Sequence, residues 1–142
     1  MSANPTVNRY LDDKTMDHID HALGRPMWPQ RESYRNYFAI DVRSDLAAQF
    51  DASPNWELRN VTPDAMGFYS VTDEGRSTLD AYLDGHDRHR AFLVTYSGVS
   101  VLTPAKSAAK ARYSVFLDVR DVDPDLTFRD FLHRAVVEEL RP

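Results

Sequence analysis

The chain has 142 residues and no cysteine. This excludes disulfides and thiolate metal sites and leaves histidine and carboxylate as the ligands for any metal. Long apolar runs are missing too: nothing approaches the roughly 20 residues of a spanning helix, and the start MSANPTVNRYLDDK has no signal-peptide core. A soluble protein in a reducing, cytoplasmic setting is expected. Positive charge is in deficit, with 17 Lys and Arg against 22 Asp and Glu, a net charge of -5 and a pI near 5.4. Proteins whose main task is gripping phosphates usually present a basic face, so this balance argues against bulk nucleic-acid binding while leaving room for a local patch. Catalytic signatures are absent as well. There is no GxGxxG, P-loop, GxSxG or HExxH, and the serines fall at caps and turns. A protein that is not an enzyme and takes no cofactor is expected.

What is present suffices for a core, since 42% of the residues are apolar and 11% aromatic. Charge is unevenly spread. Acids dominate before His89, from Asp12 and Asp13 to Asp84 and Asp87, whereas from Ala91 onward acids and bases roughly balance. The polar GHDRHR at 85–90 lies at that shift and reads as a linker. It separates residues 1–85 from 91–142, as two domains or as two halves of one continuous domain.

The pattern predicts an α+β fold. A helix is expected from Thr6 or Thr15 to Leu23, with Val7, Tyr10, Leu11, Ile19, Ala22 and Leu23 on its apolar stripe and Gly24 as its stop. Pro26 and Pro29 forbid regular structure until about Ser33, and YRNYFAIDV then reads as extended. Ser44 caps a two-turn helix that ends before Pro54. WELRNV is a strand with Trp56 and Leu58 on one side, FYSV returns antiparallel to it, and Thr72 opens a helix carrying Leu79, Tyr82 and Leu83 to Gly85. AFLVTY and VSVLT flank a Ser97-Gly98 hairpin turn, followed by a helix with Pro104 in its first turn. The last segment, TFRDFLHRAVVEEL, is expected to be one amphipathic helix capped by Thr127.

HALGRPMWPQRESYRNYF, residues 21–38, interleaves Arg25, Arg31 and Arg35 with Trp28, Tyr34, Tyr37 and Phe38. Planar cations beside flat rings bury area with few rotamers to freeze, which suits protein hot spots and nucleic-acid platforms alike. The plainer alternative is a connector whose rings cover the core and whose arginines pair with nearby acids. Among the functional readings, the acidic surroundings favour protein docking, with Asp12, Asp13, Asp17 and Asp20 as the electrostatic face and Trp28, Arg31, Tyr34 and Arg35 as anchors. Were nucleic acid bound instead, Arg25, Arg43, Lys106, Lys110 and Arg112 would be the contacts, Lys106 and Lys110 sharing a helix face. Two histidine pairs, His18 with His21 and His86 with His89, have a spacing that could hold zinc if they met, and otherwise read as polar surface.

GFYSVTDEGRSTL, residues 67–79, resembles the strand-to-helix exit of winged-helix domains, in which a two-stranded wing follows a recognition helix. The resemblance implies a recognition helix at 44–52, a wing at 56–71 and, as one functional reading, a DNA-binding transcriptional regulator. This chain departs from the pattern in placing Asp45 and Asp51 along that helix, where they would repel phosphates. Taken together, HALG, SYRNYF, GFYSVTDEGR and AKSAAKARYSVFLDVRDVDPDLTFRDFL are similar to small uncharacterised proteins encoded by bacteriophages and prophages. That similarity implies a non-enzymatic inhibitor of anti-CRISPR type, working in the host cytoplasm. Its acidic, DNA-mimicking face would press on a host complex that handles nucleic acid.

Overall fold

In the computed structural model, which describes residues 4–87 and 89–141, the first helix begins at Asp13, whose carboxylate accepts the Met16 N–H. Helix α1 (Lys14–Leu23) ends at Gly24, whose φ of 82° is the left-handed cap that glycine adopts without a Cβ clash. Residues 4–13 correct the expectation of a helix from Thr6. Val7 donates to Arg25 O and Met27 to Pro5 O, and Thr6 forms an isolated bridge with Pro26, so this segment's backbone bonds go to a neighbouring segment. Its side chains alternate as an extended chain dictates, Val7 and Arg9 inward, Asn8 and Tyr10 outward.

The chain divides into two units, residues 1–87 and 88–142. The division falls inside the predicted linker, although Gly85 and His86 still belong to a helix, and Arg88 lies outside the described residues.

The first unit contains α1, β1 (Phe38–Asp41), α2 (Asp45–Asp51), β2 (Trp56–Val61), β3 (Met66–Val71) and α3 (Asp73–His86). The strands form an antiparallel sheet in the order β1-β3-β2. Ser44 and Thr72 cap their helices as read, accepting from Ala47 N and Gly75 N. The helix, hairpin and following helix that carried the winged-helix resemblance are thus present as α2, β2–β3 and α3. Gly75 shows why the last of them opens with glycine: a Cβ there would stand 2.6 Å from Asn55 O. Ile19, Ala22 and Leu23 of α1, Phe50 of α2, Trp56, Tyr69, Val71, Leu79 and Leu83 make the core. At its centre Phe50 and Trp56 stack at 3.9 Å. Leu58 does not join Trp56 in that core: the strand beyond Trp56 is exposed, and the β2–β3 ladder slips just after Leu58, before Asn60.

The second unit contains β4 (Arg90–Tyr96), β5 (Val99–Ala105), α4 (Ala108–Val122), α5 (Phe128–Arg134) and β6 (Val136–Leu140), with sheet order β5-β4-β6. Ser97 and Gly98 both have positive φ, as a two-residue hairpin turn requires. Two expectations are corrected here. Pro104 lies in β5 opposite Ala91 rather than in the next helix, which Ser107 caps. The final helix stops at Arg134, Ala135 turns extended, and Val136–Leu140 pairs antiparallel with β4. Val136 and Leu140 keep the same spacing on a helix face as on one face of a strand, so periodicity could not separate the two. The β-branched pair Val136-Val137 and the open edge of β4 favour the strand. Phe92, Val94, Ala111, Val115, Phe116, Leu126 and Phe131 form this unit's core.

Candidate functional site

Residues 24–37 leave α1 and reach β1 fastened at almost every step. Asn4 works as a backbone surrogate: its amide accepts from Trp28 N (3.0 Å) and donates to Trp28 O (2.9 Å) and Glu32 O (3.1 Å). From α3, Arg76 donates to Pro29 O, Arg31 O and Ser33 Oγ, and burial pushes its guanidinium below the ordinary arginine value. Asn36 takes both backbone groups of Val71, carrying the β1–β3 ladder one step beyond the strand. Trp28, only 8% exposed, lies beneath the Arg31 guanidinium, 4.9 Å from ring centre. In this half of the stretch Trp28 is buried and the backbone is fastened by Asn4 and Arg76.

The acids expected to form a docking face have separate tasks. Asp12 is exposed, and Asp13 caps α1. Asp20 is fully buried in a fork with Arg9, at 2.6 and 2.9 Å, and also meets Arg25 at 3.1 Å. A group with no exposure cannot meet a partner, so Asp20 leaves the candidate surface. Asp17 receives Arg25 at 2.7 Å. Burial works to raise its pKa, but the hydrogen bonds from Arg25 and from the Leu11 N–H outweigh burial and hold the carboxyl below its usual value. Arg25 is discouraged from ionising by burial, yet these two carboxylates keep its pKa raised.

What remains on the outside is a strip of tyrosine and arginine. Tyr10 is 81% exposed and lies against the Arg25 guanidinium, 4.7 Å away. Tyr34, 73% exposed, lies across Gly24, where a Cβ would fall 2.2 Å from the ring and 3.0 Å from Arg35 Cγ. Arg35 in turn covers the half-exposed Tyr37 at 4.3 Å and donates to its carbonyl. Three exposed rings are therefore joined through Arg25, Gly24 and Arg35. Sequence reasoning had Tyr34 and Arg35, placed Tyr10 in a helical stripe, and gave Tyr37 no role. The signal for Tyr10 is Asp13, an N-cap residue that starts the helix after it.

The alternative nucleic-acid residues are divided between the two units. Arg43 sits beside α2 in a two-pronged pair with Asp41, whose carboxyl it lowers to about 2. Lys106, Lys110 and Arg112 belong to the second unit, and Lys106 precedes α4, so it shares no helix face with Lys110. The histidine pairs divide as well. His18 is half-buried, edge-on to Phe38 and Phe50, and burial pulls it below the ordinary 6.5. His86 stacks on Tyr82. Among the described residues no group of three or more histidines and carboxylates is placed to hold a metal ion, and no helix is long and apolar enough to cross a membrane.

The fold in each unit is α+β. No protein-family model, curated protein or solved structure matches the chain.

Proposed function

We propose that the protein is a non-enzymatic binding module whose first unit docks a protein partner through Tyr10, Tyr34, Arg35 and Tyr37. The observation that carries this reading is the pairing of high exposure with fixation: each ring stands in solvent yet is braced by an arginine or by a glycine surface. A braced tyrosine loses little rotamer freedom on binding, and tyrosine and arginine dominate interface energetics.

The field around this strip suggests the partner's chemistry. Residues 1–87 carry 15 Asp and Glu against 8 Lys and Arg, and Asp12, Asp45, Asp51, Asp64, Asp73 and Asp84 are exposed. A negative unit is steered towards basic surfaces, including those with which proteins grip nucleic acid. Covering such a surface would inhibit its owner, which is the role that the likeness to phage-encoded proteins implies.

The test is capture from bacterial lysate with and without nuclease, comparing the natural chain with a Tyr10→Ala/Tyr34→Ala variant. A stoichiometric protein that survives nuclease and is lost with the two tyrosines is expected. Retention that ignores the substitution, or that vanishes with the nucleic acid, would overturn the reading.

A further inference from the structure

Helix α4 carries a stripe on its outer side that the second unit leaves uncovered. Lys110, Ser114, Leu117 and Asp121 follow one another at spacings of four, three and four, which confines them to a narrow sector of a helix with 3.6 residues per turn. Tyr113 and Asp118 flank that sector, one on each side. All six are exposed, Leu117 and Tyr113 among the large apolar groups left in solvent. Phe128 of α5 closes the groove beside Tyr113 and Leu117.

The order of chemistries along the stripe is its informative feature. It runs cation, small hydroxyl, large apolar group, anion, so that reversing the direction places each member opposite its complement. We propose that this groove docks a second copy of the chain, α4 against α4, antiparallel about a two-fold axis between Ser114 and Leu117. In that register Lys110 of one copy faces Asp121 of the other, and Leu117 fits over the small Ser114. Each contact occurs twice, as an isologous interface demands.

The same charges select this occupant over others. A parallel pair would set Lys110 on Lys110 and Asp121 on Asp121, at a cost in like-charge repulsion. A uniformly acidic helix would meet Asp118 and Asp121, and a uniformly basic one would meet Lys110. One 15-residue helix with the edge of a second offers an interface at the low end of specific sizes, below about 1,200 Å² in total, so the dimer is weak and concentration-dependent.

Sedimentation velocity over a wide concentration series tests this on the full chain. The expected result is a monomer-dimer equilibrium that Lys110→Asp or Asp121→Lys each weakens by about tenfold, and that carrying both substitutions restores. Leu117→Ala weakens it without changing charge. A chain that stays monomeric throughout, a dimer indifferent to either reversal, or a double reversal that fails to restore association would each overturn the proposal. The double variant carries the same two substitutions as the singles, so restored association rules out misfolding as the cause of the single losses.

Discussion

Arg9 and Asp20 form a fork closed to solvent, with Nε on Oδ2 at 2.9 Å and Nη2 on Oδ1 at 2.6 Å. The rest of the guanidinium is also engaged, Nη1 with Asp87 and Nη2 with Pro26 O. One side chain thus ties the N-terminal segment to α1, to the residue that follows α3 and to the start of the 24–37 loop.

Removing either partner of this fork leaves the other charge buried with one remaining counter-ion, Asp87 for Arg9 and Arg25 for Asp20. Arg9→Ala or Asp20→Ala should therefore destabilise the first unit by up to about 3–5 kcal/mol, the figure for a buried charge left with no partner, whereas replacing both with apolar residues of similar volume should cost less. Urea denaturation of the three variants checks this. Single losses below about 1 kcal/mol, the range of exposed pairs, would show that water reaches the fork.

Gly24 joins a left-handed backbone to a missing Cβ, because Tyr34 occupies the space that a side chain would fill. Gly24→Ala should cost about 1–3 kcal/mol in backbone strain and should also lift Tyr34 from its place. Adding Tyr34→Ala relieves the steric part and leaves the backbone part. Stability measured around this double-mutant cycle should be non-additive, and simple additivity would show that the ring does not rest on the glycine.

His18 supplies a pH dependence whose sign can be worked out. Burial lowers its pKa in the folded chain, with Asp17 opposing that shift and Lys14 and His21 adding to it. The unfolded chain therefore takes up the proton first. The stabilising contribution is complete above 6.5 and is lost as pH falls through the lower, folded value. An NMR titration of the imidazole should give a midpoint under 6.5, and His18→Gln should flatten the fall in stability below that pH. A midpoint at or above 6.5 would contradict the packing against Phe38 and Phe50.

The parts of this fold that the sequence reveals are local. Ser44, Thr72 and Thr127 announce their helices because a cap needs only the next three residues. Ser97-Gly98 announces its hairpin for the same reason. What escapes is decided by distant partners. Arg9 meets Asp87 across 78 positions, and Val136–Leu140 becomes a strand because β4 has an edge to fill. The candidate surface divides along the same line. A run of acids shows charge but not pairing, so Asp17 and Asp20 look as available as Asp12 until Arg25 and Arg9 are found upon them.

The clasp around residues 28–33 has a mechanical consequence. Asn4 holds Trp28 on one side of the Arg31-Glu32 bond and Glu32 on the other, and Arg76 spans it likewise, from Arg31 to Ser33. Were that one peptide bond cut, both new ends would remain clamped, and α1 would stay attached through its own core contacts with α3 and the sheet. The first unit is thus built so that continuity of the chain at this seam is dispensable: two fragments meeting there would find their mutual hydrogen bonds already prescribed.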